Sequence, residues 1–208
     1  MSAMNWLGHA KETLCQLMRE LYDQKILTDI GGNLSVHELD SSSFWITPSG
    51  KQKNTVSAVD LVEVDLTTGS VLSSSSGLKP SVEWLMHRTI YQTFPEVTGV
   101  LHAHPPLATA YSLLKNPPII PHLTLETKIL VPELKVLPYA ASGSEELALL
   151  LADGLKTRDI VILKNHGSVV VTRSSLTEAA IKTRALEELL NLYLLSNQFG
   201  GDVTPFPD

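Results

Sequence analysis

Apolar residues recur every three to four positions near the start of the chain. Trp6, Leu7, Ala10, Leu14, Leu17, Met18 and Leu21 make one stripe, and that spacing predicts an amphipathic helix over 5–25. Asp29-Ile-Gly-Gly32 breaks the period. Asn33–Glu38 and Phe44–Thr47 then have strand character and are joined by a polar segment. Leu61–Leu66 and Ser70–Leu72 flank a Thr67-Thr-Gly69 turn and predict a hairpin, followed by a serine run at 73–76 that predicts a loop. A second helix is predicted over 81–94, with Ser81 as its N-cap, Glu83 in its first turn and Pro95 at its end. Val97–His104 alternates and predicts a strand, and Pro105-Pro106 opens a helix through Leu114. Past the proline-rich 116–121, helix is the preferred reading of 122–130 and strand that of 134–137. A helix follows from Ser144 to Gly154. Asp159–Leu163 is a continuous apolar run and predicts a buried strand. Gly167 allows a tight reversal into a strand over 168–172, and Ser175-Leu-Thr-Glu178 suits a capping box for a last helix that Gly200 stops. Strands clustered in mid-chain with helices around them imply helices covering a sheet.

Two features of this pattern carry chemistry. In Val100-Leu-His-Ala-His-Pro105 the histidines are two apart, so on a strand both rings face one way. His166, after the buried run, is a candidate third nitrogen. Three neutral imidazoles with an open position are the usual protein share of a catalytic zinc site. Gly31-Gly-Asn33 and Thr47-Pro-Ser-Gly50, with Lys51 and Lys53 beside the second, are turns whose amides and hydroxyls suit an anion. Neither fits a nucleotide or dinucleotide glycine pattern. Glu83 adjoins Trp84, and partial desolvation there would favour proton transfer near neutrality. His87 lies one helical turn on. His9 is expected at the surface and His37 on a strand.

The chain has 208 residues, 43% of them hydrophobic, enough for one sizeable core and most simply one domain. A net charge of −6 without a basic run argues against a nucleic-acid partner. The one cysteine, Cys15, lies in a helical apolar pattern and is expected to be an inert buried thiol. With no long apolar span and no secretory pattern, a cytoplasmic location and no membrane partner are expected.

In order, the chain carries Gly32-Asn-Leu-Ser35, Ile46-Thr-Pro-Ser-Gly50, Lys79-Pro-Ser-Val-Glu83, His87 with Ile90-Tyr91, Pro95, His102-Ala-His104 and Asn165-His-Gly167. Together these resemble the class II aldolase/adducin family over about residues 10–196. The resemblance implies a three-layer α/β/α fold with a mostly antiparallel central sheet. It also implies a homotetramer with sites at subunit interfaces. It places the metal, zinc or else manganese or cobalt, on His102, His104 and His166. Glu83 takes the acid/base role, and substrate phosphate falls to Gly32, Asn33, Ser49, Gly50 and Ser81, with Lys79 beside them. The implied activity is that of a lyase, by aldol cleavage of a small phosphorylated ketose through a zinc-stabilised enediolate. Dehydration or decarboxylation of a sugar (acid) phosphate is the alternative, and a non-catalytic adducin-like interaction module the remote one. The chain departs from the family's aldolases at Val82, where they carry a hydroxyl, and at Leu123, where they carry a tyrosine. It also lacks their second tyrosine near the C-terminus. The dehydratases place a glutamate near Thr124, and Glu126 lies two residues away.

Overall fold

The computed structural model describes residues 3–200 and 202–207. Among them run α1 (Ala3–Asp23), β1 (Asn33–His37), β2 (Ser43–Ile46), β3 (Val62–Asp65), β4 (Val71–Ser73), α2 (Trp84–Thr93), β5 (Gly99–Ala103), α3 (Pro106–Leu113), α4 (Leu125–Leu130), β6 (Val136–Leu137), α5 (Glu145–Gly154), β7 (Ile160–Leu163), β8 (Gly167–Thr172) and α6 (Leu176–Gln198). The strands form one sheet in the order β4-β3-β2-β1-β5-β8-β7-β6. Every pairing is antiparallel except β6 with β7. Helices α1, α3, α4 and α6 cover one face and α2 and α5 the other, so the three-layer, mostly antiparallel α/β/α expectation holds. None of these helices is long and apolar enough to cross a membrane.

Strand periodicity assigns each side chain to a layer. On β1, Leu34 and Val36 join the core under α1 and α6. Asn33, Ser35 and His37 point to the other face, where they are as buried as the apolar residues. Three polar groups on a buried strand face need partners, and α2 supplies two of them in His87 and Tyr91. On β5, Leu101 and Ala103 face the α1/α6 layer and Val100 faces α2 and α5, which puts His102 on the α2 side.

Local details differ from the sequence expectations in ways that sterics and hydrogen bonding explain. Helix α2 starts at Trp84, not at Ser81. Ser81 closes a turn instead, its carbonyl accepting from the Trp84 amide at 3.0 Å, and Glu83 occupies the cap position. Ser175 makes no side-chain cap bond. Glu178, its expected reciprocal partner, is taken by Thr172, Ser174 and Lys182. The left-handed residue in the β7–β8 reversal is Asn165 (φ 57°), not Gly167. Gly167 is needed for closeness: a Cβ there would lie 2.2 Å from the Ala103 carbonyl oxygen. The 134–137 strand shrinks to Val136–Leu137. Ser144 caps α5 as expected, accepting from the Leu147 amide at 3.1 Å. His9 is exposed, His37 is buried on β1, and burial pushes the Cys15 thiol up to about 11, an inert form.

Candidate metal centre and its cavity

His102 and His104 share a face of β5 and its extension. Antiparallel pairing puts Ser168 of β8 opposite Ala103, so the turn before β8 delivers His166 beside them. The three rings form a near-equilateral triangle, with centroids 4.8, 4.7 and 4.9 Å apart. One ring nitrogen from each lies within 4.8 Å of the others. The Nδ1–H of His102 donates to the Ser168 carbonyl at 3.0 Å, which leaves its Nε2 as a lone pair facing inward. The His104 Nε2 is 3.0 Å from that atom. Nitrogens bound at about 2.0–2.1 Å in a tetrahedron would stand roughly 3.3 Å apart. Close walls hold the rings: a Cβ on Gly31 would come within 2.6 Å of His104 Nδ1, and one on Gly167 within 2.8 Å of its Cδ2. Burial, with the neighbouring rings, pushes His104 down to about 3 and lowers His166 as well. Neutral imidazole is the ligating form, so the donor set fits a divalent metal.

Glu83 faces this triangle and is 4% exposed. Its carboxylate lies 3.1 Å from His102 Nε2 and 3.4 Å from His166 Nε2. Asn33 Nδ2–H and Ser142 Oγ–H each donate to one of its oxygens at 2.8 Å. Burial pushes the carboxyl up, but His102 and His166, whenever they carry a proton, and the hydrogen bond donated by Ser142 outweigh it and hold the group well below the usual carboxylate range.

That carboxylate fixes the direction of a longer buried chain. It can only accept, so Asn33 presents its amide nitrogen to Glu83 and its carbonyl to His87 Nε2, 2.5 Å away. His87 Nε2 therefore carries the proton and Nδ1 accepts from Ser35 Oγ–H at 2.7 Å. The Ser35 oxygen in turn accepts from Tyr91 O–H at 2.6 Å. Burial pushes His87 down to about 3, consistent with a neutral ring. Asn33 thus holds the carboxylate as well as facing the cavity.

The cavity in front of these groups has a volume of about 340 Å³. Gly32, Asn33, Ser49, Gly50, Ser81, Glu83, His104 and His166 all line it, and His102 is buried behind them. Two anion-suited segments are zipped together there. Ser49 N–H donates to the Lys79 carbonyl at 2.9 Å, and Ser81 N–H to that of Thr47 at 3.0 Å. Gly32 (φ 85°) and Gly50 (φ 72°) take backbone angles that favour glycine. Gly31 spends its amide on Thr28 Oγ1 at 2.8 Å. Lys79 is exposed and does not line the cavity. Lys53 and Ser142 also line it, though neither had an assigned part in the sequence reading. Lys53 was visible only as a neighbour of the Ser49-Gly50 turn, and nothing local marks Ser142, which is 59 positions from its partner. Leu123 and Thr124 line a different groove with Leu192, Ser196 and Phe199. Glu126 is exposed on α4, so none of the three faces the histidines.

Residues 12–194 match the family described as the Class II Aldolase and Adducin N-terminal domain. An L-fuculose phosphate aldolase of Methanococcus maripaludis is 35% identical over 185 residues, which cover 88% of this chain and 94% of that one. A 3-oxo-tetronate 4-phosphate decarboxylase of Haemophilus influenzae is 34% identical over 190 residues, 88% of this chain and 86% of its own. The solved structure of an L-fuculose 1-phosphate aldolase superposes with a TM-score of 0.84 at 29% identity, covering 96% of this chain and 91% of that one.

Proposed function

Because the chain belongs to the class II aldolase and adducin family, we propose that it is a metal-dependent lyase that cleaves a carbon–carbon bond of a small phosphorylated ketose. The observation that carries this reading is the Glu83 carboxylate, held by Asn33 and Ser142 against the nitrogens of His102 and His166. His102, His104 and His166 would hold the metal, zinc in the first instance, with manganese or cobalt also suited to imidazole. Bound there, a divalent ion supplies Lewis acidity toward a substrate carbonyl oxygen.

The chain's own residues do the rest. Gly32, Asn33, Ser49, Gly50 and Ser81 offer amides and hydroxyls to the phosphate. Glu83, as carboxylate, takes the proton of the hydroxyl on the carbon beyond the bond being broken. The electron pair of that bond passes to the carbonyl-bearing fragment, and the other carbon leaves as an aldehyde. Glu83 then returns the proton to the carbon that received the pair. Asn33 and Ser142 keep the carboxylate plane fixed through both transfers.

Decarboxylation is the second reading. It is favoured by the 34% identity to a phosphorylated keto-acid decarboxylase, and the family resemblance that sets Leu123 at the aldolases' tyrosine position agrees with it. Dehydration of a sugar phosphate belongs to the same group of alternatives. Ile30 and Val82 line the cavity yet are 74% and 67% exposed, which supports a neighbouring subunit at its rim, as in the homotetramer that the family resemblance implies. A cytoplasmic setting completes the reading. One assay decides among the reactions: metal-analysed protein is incubated with a panel of ketose phosphates and sugar-acid phosphates, and products are identified by mass. Aldehyde release supports the first reading, carbon dioxide the second, and loss of water the dehydratase. No turnover of any phosphorylated sugar would remove all three.

A further inference from the structure

Lys53 is 2% exposed and lines the histidine cavity. It opens a short 3-10 turn over Lys53–Thr55, and its own amide donates to the Asp29 carbonyl at 3.2 Å, so the backbone behind it is tied down. Its ammonium is different. Among the described residues no carboxylate lies within ion-pair distance of it, and no acceptor makes a hydrogen bond with it. Two other partly buried lysines are paired. Lys51, two positions earlier, reaches Asp60 at 2.6 Å, and Lys182 sits between Asp159 and Glu178 at 2.8 Å from each. Burial pulls the Lys53 ammonium toward its neutral form, and the field of Glu83 draws it back. A buried lysine without a counter-ion in contact carries a desolvation cost, and the field of Glu83 offsets only part of it.

The surroundings indicate what offsets it. Lys53 shares the cavity with Gly32, Ser49, Gly50 and Ser81, whose amides and hydroxyls suit phosphate oxygens. Among the described residues no other lysine or arginine lines the cavity. Lys79, the basic residue that the sequence motif puts next to Ser81, points to solvent and contributes its carbonyl to the Ser49 amide instead. To those hydroxyls and amides a partly desolvated ammonium adds a charge-assisted contact in low dielectric.

We infer that Lys53 is the specificity-determining cation of this site and binds the phosphate group of the substrate, a part that Lys79 does not play. The inference rests on the phosphorylated-sugar reading above. It has two consequences. The site selects phosphate esters over the free sugars through Lys53. The protein also carries an unpaired buried charge that its ligand completes, so removing that charge weakens binding without weakening the fold.

The test is calorimetric titration of inorganic phosphate into metal-loaded protein, compared for the unaltered chain, Lys53→Met, Lys53→Gln and Lys79→Met. Loss of one desolvated charge-assisted contact is expected to weaken phosphate binding about 10- to 100-fold in both Lys53 variants. Lys79→Met should stay within about twofold of the unaltered protein, since exposed charges contribute little. Without phosphate, Lys53→Met should melt at or above the temperature of the unaltered protein, and metal content should not change. Unaltered phosphate affinity in Lys53→Gln would overturn the inference, because the charge is then not what binds. Loss of affinity in Lys79→Met would overturn it too. A lower melting temperature or a smaller assembly for both Lys53 variants would give the ammonium a structural partner and remove the ligand role. Parallel titrations with acetate separate the source of the anion: a Lys53-dependent affinity for acetate but not for phosphate contradicts the assignment to phosphate. Absence of phosphate binding in the unaltered chain would remove the anion subsite itself. Binding that survives in Lys53→Met would remove only the role of Lys53.

Discussion

At one end of the β5–β8 pair, Asp159, Arg173, Glu178 and Lys182 close on one another. At the other, Glu83, His104, His166 and Lys53 face a cavity with His102 behind them. The first cluster pairs every charge: Arg173 and Lys182 hold Asp159 at 2.7 and 2.8 Å, and Lys182 and Thr172 hold Glu178 at 2.8 and 2.7 Å. It is also partly solvated, so each pair contributes little and none is expensive. The second cluster is mostly buried and is arranged against its own comfort. Three ring nitrogens converge on one point, and among the described residues Lys53 has no counter-ion. The same sheet thus ends in a self-satisfied network at one side and in a set of groups that a metal and an anion would complete at the other. That contrast separates groups that hold the fold together from groups held ready by it.

The contrast breaks most sharply at Glu83. Changing Glu83→Gln keeps the shape and removes the base, so turnover should fall about 10²- to 10⁴-fold. Metal content and melting temperature should change little. Near-normal turnover in that variant would detach the base from this carboxylate. A smaller loss is expected from Ser35→Ala, which strands His87 Nδ1 in the interior and takes the acceptor from the Tyr91 O–H proton. Each unmet group costs about 1–3 kcal/mol, readable as a lowered urea midpoint. An unchanged midpoint would mean that the buried chain behind Glu83 is not formed as described.

Acid should distinguish the two ends. His87 and His104 have folded values pushed down to about 3 from an ordinary 6.5, so the unfolded chain takes up their protons first. Their contribution is present above pH 6.5 and is lost as pH falls from there toward 3. In metal-free protein each should add a slope of about 1.4 kcal/mol per pH unit within that window. Glu178, held down to about 2 by Lys182 and Ser174 from an ordinary 4.5, keeps its contribution until pH drops below 4.5 and loses it toward 2. Melting curves from pH 7 to pH 5 should therefore fall because of the cavity end alone. The smallest effect belongs to Glu178→Gln, with less than about 1 kcal/mol lost at pH 7 and a gap to the unaltered protein that closes only below pH 4.5. A variant as pH-sensitive at pH 6 as the unaltered chain is the expected result there.

Periodicity made most of the elements legible, because each is amphipathic over its own length: the α1 stripe, the Val97–His104 alternation and the apolar Ile160–Leu163 run all survive into the structure. The His102–His104 pair was legible for the same reason, since strand geometry puts both on one face, whereas His166 joined it only through the family resemblance. What escaped the sequence are contacts between segments 50 or more positions apart. Ser142 meets Glu83 only because Gly143 lets its turn press against the Val82 carbonyl, where a Cβ would stand 2.7 Å away. Asn33 looked like an anion donor, and its bond to Glu83 depends on β1 lying beside β5 under α2. Capping residues failed where tertiary partners outcompeted the local cap. Glu178 is drawn away from Ser175 by Lys182, and Ser81 is drawn to Thr47 across the Pro48–Pro80 bridge.

The central claim is that His102, His104 and His166 together hold one metal ion beside Glu83. Elemental analysis of purified protein, unaltered and with His104→Ala, tests it most directly. The account predicts about one divalent metal per chain in the first. The second should be folded, with unchanged helix content by circular dichroism, and carry almost no metal. A His104→Ala protein that keeps its full metal content would contradict it.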